Sequence, residues 1–272
     1  MPGPDPLLLQ TLLTRIDAAL VAHGEGLLVV GLCGAQGSGK STLAAAILTA
    51  LGAKGLAAAT LSLDDLYLTR AERQHLGRSI HPLLATRGVP GTHDIALGLS
   101  TIAALERGEP VPLPRFDKGL DDRMTEAKWP VAPPGCKVLL LEGWCVGAAP
   151  QSAAMLAEPV NALERAEDAD GIWRGYANAA LAGPYQALFT SIDLLILLAA
   201  PGWDVVAAWR EEQEAPLRAA GAPQAMDAAA LARFIQHYER LTRWILEETP
   251  GRADLTVPLG AAREVLGLVS SI

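Results

Sequence analysis

The sequence predicts an α/β fold in which a mainly parallel β-sheet is covered by helices on both faces. Four apolar runs have the length of buried strands, at residues 26–33, 56–63, 137–143 and 193–199, and the second is the weakest. Helical patterns lie between these runs and after the last one. Strands this apolar that alternate with helices are typical of a parallel sheet. No repeat is evident, so we expect a single domain over residues 1–272.

The first expected element is a helix over residues 8–20, where leucine and isoleucine recur at helical spacing. This pattern predicts an amphipathic helix packed on a core. The segment lacks the basic start and the small-residue cleavage site of a signal peptide. No apolar run is as long as a membrane span. We therefore expect a cytoplasmic protein without a membrane partner.

Composition excludes several classes of partner. The formal net charge is −8, which makes sequence-independent binding to nucleic acid a poor prediction because such binding depends on neutralising phosphates. Cys33, Cys136 and Cys145 are widely spaced and form no CxxC pair, so neither a disulfide framework nor a zinc site is indicated. We expect them to be small core residues in a reducing compartment. The sequence leaves the oligomeric state open.

The first strand runs directly into the segment GAQGSGKS, residues 34–41, which opens a helix predicted over 40–51. This is the GxxxxGK[ST] pattern between a strand and a helix, where backbone amides and the helix N-terminus surround phosphate oxygens. Lys40 is expected to reach the β- and γ-phosphates of ATP, and the Ser41 hydroxyl to ligate Mg²⁺. The residues predicted to contact the nucleotide are Gly34, Ala35, Gln36, Gly37, Ser38, Gly39, Lys40, Ser41 and Thr42.

A phosphate-binding loop occurs in switch GTPases, motor ATPases and small-molecule kinases alike. The sequence has no Asn-Lys-x-Asp motif for reading guanine, and no strand ends in Asp-Glu as in many motors. Instead, the apolar run 137–143 ends in Glu142 and Gly143. Ligands bind at the carboxyl ends of such strands, so Glu142 is predicted to hold Mg²⁺ or its water. The alternative is an ordinary acidic residue at a strand end.

Two adjacent carboxylates, Asp64 and Asp65, follow the second strand in the segment TLSLDDLYLTR. A kinase needs a carboxylate near the γ-phosphate to take the proton of the acceptor hydroxyl. We predict this role for Asp64, with a pKa raised by the charge of the bound triphosphate. The alternative is that both residues begin a turn and cap a helix near Thr69, and for Asp65 the two interpretations have equal weight.

The excursion over residues 70–128 is the predicted acceptor site, since it is about as basic as acidic in an otherwise acidic chain. Gly88, Pro90 and Gly91 predict a turn that holds Thr92, His93 and Asp94 in place. Arginine suits a carboxylate because its planar group makes paired hydrogen bonds. Each basic residue has the alternative of a solvated surface position. The candidates for binding a carboxylate or phosphate of the acceptor are Arg87, His93, Arg115, Lys118 and Arg123.

A helical lid is predicted over residues 203–248. Its first part, residues 203–221, is helical and charged on one face, as expected of a helix that closes over phosphates and excludes water. Arg210 and Arg218 are eight residues apart and share one helix face, so either could contact the transferring phosphoryl group. Arg210 is preferred, because salt bridges to nearby glutamates are the stronger alternative for Arg218. The second part, residues 226–248, has the apolar spacing of a core helix.

Several segments resemble those of D-glycerate 3-kinases and their uncharacterised bacterial relatives, within the phosphoribulokinase, uridine kinase and pantothenate kinase group of P-loop kinases. The resemblance implies a three-layer P-loop NTPase fold with a helical lid. The segments are SLDDLY (62–67), ATRGVPGTHD (85–94), PLPRFDKGLDDR (112–123), LLLEGW (139–144) and WREEQE (209–214).

The resemblance extends over about residues 27–259 and implies roles for matched positions. Lys40 and Ser41 match the nucleotide and Mg²⁺ positions, and Asp64 matches the hydroxyl-activating aspartate. Glu142 matches the acidic residue at a strand end, and Arg210 matches a lid arginine. With the basic residues above, the matched segments give the predicted acceptor-contacting set: Asp64, Tyr67, Arg87, His93, Asp94, Arg115, Asp117, Lys118 and Arg123.

The sequence therefore predicts a kinase that depends on ATP and Mg²⁺ and acts on a small hydroxy acid. The acceptor that the resemblance favours is D-glycerate, giving 3-phosphoglycerate. Pantothenate or a nucleoside remains an alternative acceptor within the same group. A nucleotide-binding regulator without transfer activity is an alternative from another class, but Asp64 and Glu142 favour an enzyme because a binding module needs no base.

Overall fold

The computed structural model describes residues 3–219 and 226–270. Within these ranges, five strands form a wholly parallel sheet in the order β2-β5-β1-β6-β7, and two short strands, β3 and β4, form a separate antiparallel hairpin. The strands are β1 (Leu28–Gly34), β2 (Ala58–Ser62), β3 (Phe116–Asp117), β4 (Asp122–Arg123), β5 (Val138–Gly143), β6 (Leu194–Ala199) and β7 (Leu255–Pro258).

Helices precede, separate and follow the sheet strands, and a π-helical turn at Leu181–Tyr185 joins the sixth and seventh helices. No helix in the described ranges combines the length and apolarity needed to cross a membrane. The helices are α1 (Pro6–His23), α2 (Lys40–Ala53), α3 (Arg70–Ser79), α4 (Ile95–Glu106), α5 (Ala162–Glu167), α6 (Ile172–Ala180), α7 (Gln186–Phe189), α8 (Trp203–Ala219) and α9 (Ala228–Glu248).

The predicted α/β architecture is confirmed. The four expected strands are present with ends moved by one or two residues, and the predicted N-terminal helix is α1, which is longer at both ends. The strand β7 was not predicted, because four residues that end in proline are too short for a recognisable apolar run. Residues 220–225, inside the predicted lid over 203–248, lie outside the described residues. The rest of the predicted lid forms the helices α8 and α9.

The sheet register brings the ends of three strands to one edge of the molecule. Every residue of β1 and β5 is buried, as expected of central strands covered on both faces. Glu142 of β5 lies opposite Leu32 of β1 on one side and Ser62 of β2 on the other. Because these strands are parallel, the segments that follow each of them emerge at this edge, where ligands bind in open α/β sheets.

The predicted excursion is folded and packed beside this edge. It contains α3, α4 and the hairpin of β3 and β4. Thr69 begins α3 with a capping box, in which its side chain accepts from the Glu72 amide and Glu72 accepts from the Thr69 amide. The segment after β2 packs against α4 through Leu66 and Gly98, which are both buried. The contact is close, because a Cβ at Gly98 would lie 2.8 Å from Leu66. The excursion is therefore an ordered part of the site.

Candidate active site

The loop between β1 and α2 has the backbone conformation of a phosphate cradle. Gly37 and Gly39 have φ angles of 83° and 88°, in the left-handed region that glycine adopts without strain. Gly39 precedes α2 without offering a side-chain cap, so the first amide groups of the helix remain available to an anion. A Cβ at Gly37 would lie 2.6 Å from Cβ of Trp209, which packs helix α8 directly on the loop. The loop thus has a conformation that suits a phosphate, and helix α8 of the predicted lid packs on it.

Ser41 and Glu142 form a pair that fits Mg²⁺. The Ser41 hydroxyl donates to Oε1 of Glu142 over 3.3 Å. Glu142 is only 6% exposed, and its Oε2 has no hydrogen-bond partner among the described residues. In the described ranges no group of three or more His, Cys, Asp or Glu side chains could hold a metal ion. One carboxylate and one hydroxyl beside a phosphate cradle are the donors that Mg²⁺ uses when phosphates and water complete its shell.

Asp64 lies in a 3₁₀ turn, Leu63–Leu66, directly after β2, and both of its oxygens are hydrogen-bonded. The Tyr67 hydroxyl donates to Oδ1 over 3.0 Å, and Nζ of Lys118 donates to Oδ2 over 2.6 Å. Burial raises the pKa of Asp64, but the charges of Lys118 and Lys40 outweigh burial and hold the pKa below its usual range. Asp64 is therefore a carboxylate at neutral pH and is able to accept a proton.

This direction differs from the raised pKa that the sequence predicted for Asp64. The prediction relied on the negative charge of a bound triphosphate, whereas the groups of the chain itself lower the pKa. Lys118 makes the difference, because it comes from a segment 54 residues away and no sequence pattern places it on Asp64. A bound triphosphate would act against Lys118 and Lys40, so the two effects oppose each other in the working site.

Asp65 has a separate task from its neighbour. Its Oδ1 accepts from the Phe116 amide over 3.0 Å, and its Oδ2 lies 3.4 Å from Nη1 of Arg115. The interpretation that the pair begins a turn is confirmed, because both residues lie in the 3₁₀ turn Leu63–Leu66, but the interpretation that it caps a helix is wrong, because Thr69 caps α3. Asp65 in addition holds strand β3. One aspartate thus accepts from Tyr67 and Lys118, and the other fixes the hairpin that carries Lys118.

The hairpin is held in place by further ion pairs. Asp121, in its turn, pairs with Arg73 over 2.9 Å and also with Arg87. The guanidinium groups of Arg73 and Arg87 lie 5.5 Å and 5.7 Å from the ring centre of Phe116, within the range of cation–π contacts. Asp117 accepts from the amides of Gly119 and Leu120 over 2.9 Å and 3.1 Å, which shapes the turn. The structure therefore gives Asp117 a contact within the chain.

Three more predicted acceptor residues also have partners within the chain. Arg123 donates to the Tyr67 carbonyl over 3.0 Å and pairs with Asp94 over 3.1 Å. Asp94 also caps α4 by accepting from the Leu97 amide over 3.0 Å. Arg115 donates to the Pro114 carbonyl and pairs with Asp65, as described above. These contacts hold the elements around the site together, and none of the three residues lines the cavity of about 150 Å³ that lies there.

His93 is a buried support for Tyr67. The two rings stack with their centres 4.4 Å apart, and Nδ1 of His93 is hydrogen-bonded to the Tyr185 hydroxyl. Burial lowers the pKa of His93 to about 3, so the imidazole is neutral and carries no charge for an anionic acceptor. Its Nε2 has no hydrogen-bond partner in the part of the chain that the structure describes.

A cavity of about 150 Å³ lies between the phosphate loop, the hairpin and helices α8 and α9. It brings together Asp64, Tyr67, Arg87, Lys118 and Arg210 from the predicted site. The sequence missed four lining residues, Trp144, Gln213, Phe234 and Tyr238. The latter two were interpreted as core: Tyr238 is buried and Phe234 is partly buried, and this interpretation hid their position at the cavity. The lining residues are Gln36, Gly37, Asp64, Tyr67, Arg87, Lys118, Trp144, Arg210, Gln213, Phe234 and Tyr238.

The two candidate lid arginines are separated by their surroundings. Arg210 lines the cavity, where it pairs with Glu214 over 2.9 Å and donates to Gln213 over 3.2 Å. Arg218 pairs with Glu211 and donates to the Met226 carbonyl over 3.0 Å, outside the lining of the cavity. The position of Arg210 therefore supports the preference for it as the arginine that meets a phosphoryl group.

A second cavity, of about 400 Å³, lies on the other side of the phosphate loop. It is bordered by the start of α2, the end of β6 and the segment that follows β7. Ser38 borders it, and the Ser38 hydroxyl is buried without a hydrogen-bond partner among the described residues. The lining residues are Gly3, Pro4, Asp5, Leu8, Ser38, Gly39, Thr42, Leu43, Leu198, Leu259, Ala262, Arg263, Glu264 and Val265.

Replacing Lys118 by methionine should move the acid limb of the kcat profile to higher pH. Burial raises the pKa of Asp64, and removing Lys118 leaves Lys40 as the nearby lysine that opposes this effect, so the pKa rises and more of this carboxylate is protonated and inactive at a given acidic pH. The measurement is kcat against pH at saturating substrates, with Lys118→Arg as the matched control that keeps a positive charge. An acid limb that stays in place in Lys118→Met would show that Lys118 does not set the charge of Asp64.

A parallel sheet, a glycine-rich phosphate loop that opens a helix, and a carboxylate cavity beside it define a P-loop kinase. The chain is 36% identical over 221 residues to the uncharacterized kinase mug58 of Schizosaccharomyces pombe, covering 77% of this chain and 78% of the relative. It is 30% identical over 241 residues to the chloroplastic D-glycerate 3-kinase of Arabidopsis thaliana, covering 84% of this chain and half of the relative's length. No family model matches the chain.

The solved structure of D-glycerate 3-kinase from Cryptococcus neoformans is similar over the whole chain. It has 25% sequence identity and a TM-score of 0.83, and the match covers 98% of this chain and 100% of that one. The chain therefore belongs to the family of P-loop kinases that includes D-glycerate 3-kinase. Membership makes it a kinase of small molecules and confirms the family resemblance found in the sequence.

Proposed function

We propose that this kinase transfers the γ-phosphoryl group of ATP to a hydroxyl of a small hydroxy acid, with D-glycerate as acceptor and 3-phosphoglycerate as product. The observation that carries the proposal is the cavity beside the phosphate loop, where the Asp64 carboxylate faces the cations Arg87, Lys118 and Arg210. A carboxylate activates the acceptor hydroxyl, and the cations suit an acceptor that is itself an anion.

The donor nucleotide fits the two cavities on either side of the loop. The phosphates would lie along the loop from Gly34 to Thr42, with Lys40 on the β- and γ-phosphates. The nucleoside would then occupy the cavity beside Ser38 and Thr42, which at about 400 Å³ falls within the size range of ligand pockets. Ser41 and Glu142 would hold Mg²⁺, whose charge offsets that of the phosphates.

The chain's own groups provide the rest of the transfer. Asp64 would take the proton of the acceptor hydroxyl at Oδ1 or Oδ2 while the oxygen of that hydroxyl attacks the γ-phosphorus. Tyr67 orients the carboxylate through its 3.0 Å hydrogen bond and is itself fixed by the stacked His93 ring. Arg210, on helix α8, would contact the oxygens of the transferring group. The packing of α8 on Gly37 lets the same helix exclude water from the phosphates.

The size of the acceptor cavity favours glycerate over the other acceptors of this group. At about 150 Å³ it is smaller than the 300–1,000 Å³ typical of drug-sized ligands, so a three-carbon acid fits better than a nucleoside or pantothenate. We assign Arg87 to the acceptor's carboxylate, because it lines the cavity and is held by Asp121 and by the hydrogen bond from the Tyr238 hydroxyl to the Arg87 carbonyl. The three cysteines are buried and free, in line with the proposed location in the reducing cytoplasm.

The proposal is tested by ADP release in the presence of D-glycerate, glyceramide, pantothenate, uridine and ribulose 5-phosphate. We expect D-glycerate to be the best acceptor and the product to be 3-phosphoglycerate. Glyceramide has the same shape without the charge, and losing a buried charged pair costs about 2–5 kcal/mol of binding. Equal activity on glycerate and glyceramide would mean a neutral site and would favour a nucleoside. ATP binding without transfer to any of the acceptors would instead favour a regulator.

A further inference from the structure

One arginine links the cavity of about 400 Å³ proposed for the nucleoside, the phosphate loop and helix α8. Arg263 lies in the segment after β7, and its Nε donates to the Gly37 carbonyl over 2.7 Å. Its Nη2 donates to Glu212 over 2.6 Å, and its guanidinium lies over the Trp209 ring with the central carbon 5.0 Å from the ring centre. Glu212 and Trp209 belong to α8, so a single side chain joins three parts of the site.

The backbone of Arg263 is held in an unfavourable conformation. Its φ angle of 68° lies in the left-handed region, which is unfavourable for a residue with a Cβ. The amide of Arg263 donates to the Gly260 carbonyl over 3.0 Å, which closes the turn. Glycine would satisfy this turn without strain. Such a conformation persists where the surroundings hold it, and here the contacts of the side chain with Gly37, Glu212 and Trp209 do so.

The side chain also borders the cavity of about 400 Å³. It remains 26% exposed, although Nε and Nη2 both have partners. The third nitrogen, Nη1, has no hydrogen-bond acceptor in the part of the chain that the structure describes. A guanidinium group that is held on two sides and stacked on a third presents its remaining donor in a fixed direction.

We propose that Arg263 is a nucleotide-positioning residue, which contacts the nucleoside side of the bound nucleotide through Nη1 and links that contact to helix α8 and the phosphate loop. The proposal rests on the proposed use of ATP. Because Trp209 packs on both Gly37 and Arg263, a nucleotide bound by Arg263 is also linked to the helix that carries Arg210. The nucleoside thereby contributes to transfer although it takes no part in the chemistry.

The test compares ATP with inorganic tripolyphosphate, which has the phosphates but no nucleoside. Binding of each to the full chain is measured by calorimetric titration for the wild type, Arg263→Ala and Arg263→Lys. We expect Arg263→Ala to weaken ATP by about 10- to 100-fold, the loss of a hydrogen bond to a charged group. Tripolyphosphate should bind nearly as before. Arg263→Lys should recover only part of the loss, because an ammonium group cannot make the same paired and stacked contacts.

A second variant separates the contact with the nucleotide from the link to α8. Glu212→Gln leaves Arg263 in place but removes the charge of its partner on the helix. We expect ATP affinity to change little and kcat to fall by a few fold, whereas Arg263→Ala should affect both. Arg107→Ala is the matched control, because Arg107 is exposed, pairs with Glu109 and borders neither cavity.

The proposal is overturned if Arg263→Ala binds ATP as the wild type does, or if ATP and tripolyphosphate lose the same factor. The second result would mean that Arg263 only stiffens the loop. If thermal unfolding shows that Arg263→Ala does not fold, Arg263→Lys and Arg263→Gln decide by the same ratio of affinities. Wild-type protein that binds ATP but phosphorylates no acceptor would refute the proposed function alone, while failure to bind ATP would refute both.

Discussion

Replacing Asp64 by asparagine should lower kcat by about 10²–10⁴-fold, the usual contribution of general acid–base catalysis. Asparagine keeps the shape and the hydrogen bond from the Tyr67 hydroxyl, but it cannot take the proton of the acceptor. ATP should bind as well or more tightly, because a negative charge near the γ-phosphate is removed. The measurement is kcat at saturating glycerate, together with a direct titration of ATP. Loss of ATP binding with kcat preserved would contradict the role of Asp64.

Asp65→Asn is the matched control, since it makes the same chemical change one residue away. Asparagine still offers an oxygen to the Phe116 amide, so β3 should stay in place, although the ion pair with Arg115 is lost. That pair is partly exposed, and such pairs contribute little to stability. We expect a small decrease in kcat. A large loss at Asp65 with a small one at Asp64 would mean that the other carboxylate is the base.

Replacing Lys40 by alanine should nearly abolish ATP turnover while the fold survives. Lys40 is the first residue of α2 and the basic residue of the segment 34–42 that is expected to bind the phosphates. Its side chain has no ion-pair partner within 4 Å in the described ranges, although its charge helps to keep the pKa of Asp64 low, so its removal also acts on that carboxylate. The measurements are turnover and a thermal unfolding curve. Turnover at the wild-type rate would refute the assignment of the loop.

Lys54 supplies the control on the same helix. It follows the last residue of α2, where it is 42% exposed and pairs with Asp17 over 2.7 Å. A surface pair of this kind contributes about 0–1 kcal/mol. Lys54→Ala should therefore leave turnover unchanged, with a small decrease in unfolding temperature at most. An equal loss in both variants would show that the charge of α2, and not the position of Lys40, matters.

The central sheet and the phosphate loop were predictable because their signals are local. A long apolar run such as that of β1 and a fixed pattern such as residues 34–41 require no knowledge of the rest of the chain. The edge strand β7 has neither property, and it is recognisable only from its pairing with β6. Trp144 and Tyr238 were missed as cavity residues for a related reason, because an aromatic side chain that is 2% or 4% exposed has the pattern of a core residue.

The charged residues of the excursion show where sequence reasoning stops. Basic side chains were predicted to meet an anionic acceptor, but Arg115 and Arg123 are paired with Asp65 and Asp94. Asp65 is 50 residues from its partner along the chain, so no spacing rule could have paired it. Arg87 and Lys118 also have partners, yet both line the cavity. Only the folded structure distinguishes an arginine that holds the elements around the cavity from one that lines the cavity.

The division of labour between Asp64 and Asp65 has a consequence for redesign. The hairpin is held by Asp65 at its base and by Arg73 and Arg87 at its turn, while Asp64 lies in the 3₁₀ turn after β2. Residues at the tip, such as Leu120, which is 72% exposed, can therefore be exchanged without displacing the reactive carboxylate. A library confined to positions 119 and 120 would vary the turn next to Lys118 while the contact between Lys118 and Asp64 stays in place, which makes this turn a natural starting point for kinases with new acceptors.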